Sequence, residues 1–349
     1  MTLPTSFKAW RRTTGDLPRT IEQTTEHLPS ELSPGEVIIK IHAVSLNFRD
    51  IGMLDGRYPV QVKEHGIAAS DCAAEVVAVG SGVKGFQVGD RVSPTFILTE
   101  LTGKEKDGFP KSLGDDQGVL AEYAVFDEKV LVKLPTHLSW EEGSTLACAG
   151  VTAWNCLNRL RDVDPEDTTV LLQGTGGVSM FCLLICIAAG IKTIITSSSD
   201  AKIEEIKKLS PLVQGINYKT HPNQAEGAKK LTDGKGVDFV LNNVGPVSLP
   251  ADIDSLRAKH GTISMIGFLD QSKPTWDPLA MLQLMFKAAK LQGIRVGSKV
   301  DFQELNQFLE EKQVKLDTLI DRTFQFDDAK AAFEHLKSGK HVGKIVIKV

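Results

Sequence analysis

From Val170 to Val296, short apolar runs recur with helical stretches between most of them. The runs are Val170–Gln173, Thr193–Thr196, Ile216–Tyr218, Val237–Leu241, Thr262–Ile266 and Leu291–Val296. Helical candidates are Met180–Ala189, apolar almost all round and closed by Gly190, and the amphipathic segments Ala201–Leu209 and Leu249–Lys259. Strand-length runs alternating with helical periodicity predict an α/β domain built on one doubly wound parallel sheet. In such sheets the ligand lies at the carboxyl ends of the strands. Gly245, Gly267 and Gly297, each just past a run, are therefore candidate cofactor contacts.

The first 139 residues carry a different pattern. Val37–Val44, Ala73–Val79, Asp90–Val92 and Leu120–Val125 are short apolar strands separated by turn signals such as Gly80-Ser81-Gly82 and Gly89-Asp90. Helical periodicity is nearly absent, which predicts an antiparallel β-rich domain. Residues 301–349 return two helices and a final strand, Lys344–Val349. A single strand cannot stand alone, so this tail is expected to rejoin the first domain. The expected boundaries are 1–139, 140–298 and 299–349, the middle segment being the parallel-sheet domain. No internal repeat or low-complexity linker is present.

The first run of the parallel sheet leads into a glycine loop, Thr169-Val-Leu-Leu-Gln-Gly-Thr-Gly-Gly-Val-Ser179. A dinucleotide pyrophosphate needs this order. Gly174 makes the tight turn, Gly176 lets the backbone approach the phosphates, and the helix start offers N–H donors and partial positive charge. Gly174, Thr175, Gly176, Gly177 and Val178 are the expected contacts. Ser179 stands at the third glycine position, and the competing reading is a glycine-bearing turn of any α/β protein.

Composition narrows the partners. Of 349 residues, 42% are apolar and 24% charged, an ordinary globular balance, and 40 basic against 44 acidic residues leave a net charge of −4. Without a basic stripe, neither nucleic acid nor a membrane surface is an expected partner, which leaves a small-molecule substrate. The longest apolar run, Val178–Ala189, is too short to span a bilayer and is interrupted by Ser179. The N-terminus lacks a signal-peptide core and the C-terminus an obvious address. Five scattered cysteines form no disulfide framework, so a reducing, cytoplasmic setting is the simplest expectation.

With these residues in view, the chain resembles the medium-chain dehydrogenase/reductase superfamily over essentially its whole length. The match rests on Pro34-Gly35-Glu36-Val37, Ala43-Val44-Ser45-Leu46-Asn47-Phe48-Arg49-Asp50, Gly56-Arg57-Tyr58-Pro59 and Val88-Gly89-Asp90-Arg91-Val92. It continues through Cys148-Ala149-Gly150-Val151-Thr152-Ala153-Trp154, the glycine loop, Ile216-Asn217-Tyr218 and Gly343-Lys344-Ile345-Val346. The resemblance implies a Rossmann domain inserted in a GroES-like β-rich domain, a cleft between the two, and homodimers that pair the last Rossmann strand, Leu291–Val296.

Alcohol dehydrogenases of this superfamily hold a catalytic zinc with two cysteines, a histidine and an acidic residue. Here the corresponding positions are Ser45, Ser70, Asp71 and Cys148, and Thr95–Gln117 lacks the cysteines of a structural zinc lobe. One thiol and one carboxylate are too few for a zinc site, so no metal is expected. Cys182 and Cys186 share a helical face, which fits core packing, and His65 fits a surface or pocket position better than a ligand. Without a Lewis acid to hold an alkoxide, hydride delivery to enones or quinones is favoured over interconversion of ordinary alcohols and ketones.

The second strand ends in Thr196-Ser197-Ser198-Ser199-Asp200-Ala201-Lys202, where NAD-binding sheets place an acidic residue that grips the ribose. Small hydroxyls at Ser197 and Ser198 leave room for a 2′-phosphate. In the zinc-free quinone reductases that the chain resembles, a lysine and a tyrosine flank that phosphate, at positions matched by Lys202 and Tyr218. NADP(H) is thus the expected cofactor. Asp200 is discordant unless it caps the helix Ala201–Leu209, and Lys202 could also be a solvated first-turn residue.

Hydride transfer needs a fixed acceptor and donors where negative charge gathers. Asn47 is the candidate polar contact to acceptor and cofactor, with a cap on the turn Asn47–Asp50 as its structural alternative. Tyr58 could donate a proton, line the pocket, or simply pack before Pro59. Arg49 and Asp50 could form a structural ion pair. The resemblance places Thr152 near the nicotinamide, with Asn243, Val244, Gly245, Gly267, Phe268, Val296 and Gly297 around it. No side chain stands out as an obligatory acid, so solvent or a ribose hydroxyl could supply the proton. The expected activity is zinc-independent, NADPH-dependent reduction of activated double bonds or quinones. Alternatives are a zinc-free alcohol or carbonyl dehydrogenase and a cofactor-binding protein without turnover. Leu98–Gln117 is expected to shape the cleft mouth.

Overall fold

The structure, a computed structural model, describes residues 3–161 and 163–349. Two compact units comprise residues 1–151 with 296–349, and residues 152–295. The chain opens with strands β1 (Ser6–Arg12), β2 (Ile21–His27) and β3 (Glu36–Ser45), helix α1 (Phe48–Leu54), and strands β4 (Asp71–Val79), β5 (Arg91–Pro94), β6 (Tyr123–Asp127) and β7 (Leu131–Lys133). Helix α2 (Trp140–Gly143) and a π-helical turn, Leu146–Gly150, lead into α3 (Val151–Cys156). Because α2 packs on β3 and β4, the unit boundary falls at 151/152 rather than at the 139/140 drawn from the sequence pattern.

The second unit runs β8 (Thr169–Leu172), α4 (Gly177–Ala189), β9 (Lys192–Ser197), α5 (Asp200–Lys207), β10 (Val213–Asn217) and α6 (Gln224–Lys230). It continues through β11 (Phe239–Asn242), α7 (Leu249–Ser255), β12 (Thr262–Met265), α8 (Leu282–Phe286) and β13 (Lys290–Gly293). All six strands pair in parallel in the order β10-β9-β8-β11-β12-β13. This is the doubly wound Rossmann order, with its switch point between β8 and β11. Strands buried on both faces read as apolar runs, which is why β8 (Thr-Val-Leu-Leu) was visible in the sequence. The runs at Leu291–Val296 and Val237–Leu241 are corrected to Lys290–Gly293 and Phe239–Asn242. Val296 sits at φ 56°, outside any strand geometry.

The chain then re-enters the first unit as α9 (Lys299–Lys312), β14 (Ile320–Gln325), α10 (Ala329–Lys337) and β15 (Lys344–Lys348). A seven-stranded sheet results, in the order β14-β15-β3-β4-β5-β7, with β6 also on β3. It is antiparallel except for β14 on β15, and β15 pairs directly with β3. Val37, Ile39, Ile41, Val76, Val92, Leu131, Ile345 and Ile347 pack into its core. At roughly 25 cal/mol per Å² of apolar surface, each such side chain contributes about 1.5–3 kcal/mol.

Sequence periodicity missed β1 and β2, whose segments are mostly polar. Their anchor is an unusual one. Arg12 is 1% exposed, and its guanidinium donates to the carbonyls of Ile67, Gly114, Lys63, Asp115 and Asp116 at 2.8–3.3 Å. Burial lowers its pKa to about 10, which still leaves it charged at neutral pH. Stripping such a charge of its acceptors would cost about 3–5 kcal/mol. Arg12 thereby fixes two loop segments, 63–67 and 114–116, around the first unit's polar centre.

Candidate functional site

In the second unit, the carboxyl ends of five parallel strands gather most of the expected cofactor contacts. The glycine loop follows β8, Ser197 closes β9 and Ser198 follows it, Tyr218 follows β10, Asn243–Gly245 follow β11, and Gly267 and Phe268 follow β12. Gly174 adopts φ 77°, and a Cβ at Gly174 or Gly176 would meet nothing within 4 Å, so space lies open beside the loop. The N–H groups of Thr175, Gly176, Gly177 and Val178 have no acceptor among the described residues. Helix α4 begins at Gly177 behind a glycine that offers no side-chain cap. Unpaired N–H groups at the start of a 13-residue helix fit a phosphate.

Register brings the second and third strand ends together, Ser197 beside Asn217. Ser199, not Asp200, caps α5, its Oγ accepting the Lys202 N–H at 3.4 Å. The cap expected at Asp200 is thus corrected. Asp200 is the first helical residue, and its carboxylate accepts from Asn217 Nδ2 at 2.8 Å. Tyr218 is 47% exposed just beyond Asn217. Thr152 is carried by α3, whereas Val296 and Gly297 belong to the first unit.

Beneath these loops lies a polar network that sequence reading missed. Asp252 of α7 is fully buried and accepts four hydrogen bonds. Gln173 Nε2 (2.7 Å) and Gln224 Nε2 (3.0 Å) donate to Oδ1, and Asn242 Nδ2 (2.7 Å) and Ser248 Oγ (2.9 Å) to Oδ2. The same amides hold the loops from their other ends. Gln173 Oε1 accepts the N–H of Asn243 and of Val244 at 3.2 Å, and Asn242 Oδ1 accepts the N–H of Gly245 at 2.6 Å. Ser179, at the third glycine position, donates to the Gln173 carbonyl (2.9 Å) and accepts from Asn243 Nδ2 (2.9 Å). Asn243 therefore spends its amide on the loop framework. The available signal was an acid in register with Leu249, Ile253 and Leu256, the apolar stripe of an amphipathic helix.

The first unit holds its own polar centre. Asn47 follows β3 as the cap position of α1, where the Asp50 carboxylate accepts its backbone N–H at 2.7 Å. The Asn47 side chain makes further contacts of its own, so the cap and the side-chain contacts coexist. Lys344 Nζ donates to Asn47 Oδ1 (2.6 Å) and to the Leu46 carbonyl (2.6 Å). Asn47 Nδ2 lies 3.4 Å from Ser70 Oγ, and Ser70 donates to Asp71 Oδ1 at 2.8 Å. The Cys148 N–H, on the π-helical turn, donates to Asp71 Oδ2 at 3.0 Å. Desolvation and the Asp71 charge push the Cys148 thiol up.

Arg49 pairs with Asp115 and donates to the Leu113 carbonyl at 3.0 Å, which replaces the expected Arg49–Asp50 pair. Asp50 faces inward instead, and burial raises its carboxyl to about 6. Tyr58 lies against Gly52, its ring 5.5 Å from the Arg49 guanidinium, and burial raises its phenol. Ser45 is fully buried, His65 is half-exposed beside Glu22, and Cys182 and Cys186 are core residues. No group of three or more His, Cys, Asp or Glu among the described residues could hold a metal ion. No helix among them is long and apolar enough to cross a membrane.

Two family models match, the alcohol dehydrogenase GroES-like domain over residues 33–136 and the zinc-binding dehydrogenase over 177–311. A zinc-type alcohol dehydrogenase-like protein of Schizosaccharomyces pombe is 39% identical over 327 residues, 92% of this chain and 93% of that one. A crystal structure of a Sinorhizobium meliloti protein described as an alcohol dehydrogenase superposes over the whole of both chains at TM-score 0.90, with 31% identity. A quinone oxidoreductase of Pseudomonas syringae, at 25% identity, covers 98% of this chain and all of its own at TM-score 0.76. The chain belongs to the medium-chain dehydrogenase/reductase superfamily, and as such it is an oxidoreductase that uses a nicotinamide cofactor.

The network makes Asp252→Asn informative. An amide facing four donors forces either Gln173 or Asn242 to flip, and each flip strips a loop N–H of its acceptor. Cofactor dissociation constants should rise about tenfold. Burial raises the Asp252 carboxyl to about 6, above its unfolded 3.8, so the native state takes up the proton first. This residue therefore adds stability as pH falls from about 6 towards 4 and forfeits it as pH rises. Denaturant titrations across that range should show wild type gaining on the Asn variant at low pH, and parallel curves would contradict the assignment.

Proposed function

We propose that the chain is an NADP(H)-dependent reductase that works without zinc, delivering hydride to an acceptor whose negative charge spreads by conjugation, an enone, an enoyl group or a quinone. The observation that carries this reading is the state of Asp71. Its two oxygens are engaged by the Ser70 hydroxyl and the Cys148 N–H, while serines stand at two other positions where zinc-bearing relatives need ligands. Neutral hydroxyls bind zinc poorly, and a thiol pushed up by burial is costly to ionise, so this donor set does not fit the metal.

A bound reduced nicotinamide supplies the hydride. Asn47 Nδ2 donates to the acceptor oxygen on which charge collects, a contribution of about 2–4 kcal/mol. Tyr58, its phenol raised by burial, keeps its proton through the neutral range and can hand it on. The 2′-phosphate reading draws support from Ser197, Ser198, Lys202 and Tyr218 at adjacent strand ends, and from Asn217 engaging the one discordant carboxylate.

A homodimer through the edge strand is part of the proposal. β13 ends the parallel sheet, and Leu279 (66% exposed), Met285 (67%) and Phe286 (69%) lie just before it. Light scattering should give twice the mass of the 349-residue chain. Met285→Glu with Phe286→Glu should halve it, and a wild-type monomer would refute the interface.

The decisive assay follows NADPH absorbance with enones, quinones and simple alcohols, alongside metal analysis of the same sample. Enones or quinones should turn over with no stoichiometric zinc. Exclusive turnover of simple alcohols, or one equivalent of zinc, overturns the reading. Lys202→Glu should raise the NADPH dissociation constant at least about tenfold and leave that of NADH within about twofold. Equal losses for both cofactors would remove the case for phosphate recognition.

A further inference from the structure

The first unit contains a directed hydrogen-bond chain with a cation at one end and an anion at the other. Lys344 is 2% exposed, and no carboxylate lies within ion-pair distance of its ammonium among the described residues. It donates to Asn47, the Asn47 amide faces Ser70, and Ser70 donates to Asp71. Every donor in this series points away from Lys344 and towards Asp71. Hydrogen bonds so aligned polarise one another, most strongly where an ionised group heads the row.

Its geometry singles out Asn47. Lys344 Nζ holds Oδ1 at 2.6 Å, which settles which end of the amide is oxygen and locks its plane. Of the two hydrogens on Nδ2, one faces Ser70 Oγ at a long 3.4 Å, and the other has no acceptor among the described residues. Asn47 is only half-buried, whereas Lys344, Ser70 and Asp71 are buried. The amide is thus the one member of the series that can meet a ligand, and it presents a donor there.

We propose that Lys344 is a positioning residue, its buried ammonium orienting and polarising the Asn47 amide so that Nδ2–H donates more strongly to the acceptor oxygen. The inference rests on the reading of Asn47 as that donor. A cation next to the amide oxygen withdraws electron density from its nitrogen, so the N–H gains acidity as negative charge develops opposite it. In this role Lys344 acts through Asn47, the one side chain to which its ammonium donates among the described residues. Since Leu46 and Asn47 directly follow β3 and Lys344 begins β15, the pairing of the two strands delivers the ammonium to its target.

A double-mutant cycle on kcat tests this, using purified protein, saturating NADPH and a conjugated enone or a quinone as acceptor. Asn47→Ala should lower kcat about 100-fold. Lys344→Met should lower it at least tenfold with the NADPH dissociation constant held within about twofold. The double variant should be no slower than Asn47→Ala alone, since the second change removes a group whose target is already gone. Lys344→Gln covers the case in which Lys344→Met does not fold. Its amide can serve the Leu46 and Asn47 oxygens without a charge, and it should lose roughly tenfold in kcat with the same non-additivity. Losses that multiply in the double variant, or a Lys344→Gln enzyme with wild-type kcat, overturn the role of Lys344. Undiminished kcat in Asn47→Ala would overturn the underlying reading of Asn47 instead.

Discussion

One buried carboxylate, satisfied entirely by neutral donors, holds the carboxyl edge of the parallel sheet in shape. Among the described residues Asp252 has no cation beside it, so its four hydrogen bonds must offset the loss of water. Each amide that serves it has a second end, and those second ends grip the loops after β8 and β11. Because a carboxamide has one donor end and one acceptor end, the anion dictates the orientation of both loops at once. The switch point of a doubly wound sheet leaves a crevice where neighbouring loops diverge. Here that divergence is braced from below, and the backbone N–H groups above remain unspent.

The first unit solves a related problem with opposite charge. Lys344 and Asp71 are both buried, yet they do not meet as an ion pair. Asn47 and Ser70 stand between them, hydrogen-bonded in series from one to the other. A direct pair would quench both charges and leave no polar group facing outward. Spacing them with an amide keeps the field and exposes one donor. The superfamily frame supplies the scaffold for this arrangement, and Ser70 supplies the hydroxyl that links the amide to Asp71.

Much of the architecture was legible because it is written in periodicity. The apolar runs of β8 to β12, the helix behind the glycine loop and the paired strands β3 and β4 all follow from patterns of burial. The expected phosphate contacts fall together because they sit at the ends of strands whose parallel order the alternation implied. Arg12, Asp252 and Lys344 escaped notice for a common reason. Each is an ionised group inside, and its justification lies in partners distant in sequence, 297 positions for Lys344 and Asn47. Strands β1 and β2 were hidden likewise, since few of their residues are apolar and one of the side chains they bury is the guanidinium of Arg12. The same blindness misassigned the Arg49 partner, because the neighbour in sequence, Asp50, is turned inward.

The route of the chain through its two units sets a timetable for synthesis. Residues 152–295 form an uninterrupted unit whose sheet is complete once β13 has emerged. The other unit starts first and is completed later, since β3 waits for β15, which follows the whole of residues 152–295. Until then the end of β3, Ala43–Ser45, lacks the strand that covers its edge. Lys344, whose ammonium donates to Asn47, arrives with that closing strand, so this contact forms only after the parallel-sheet unit can already be whole.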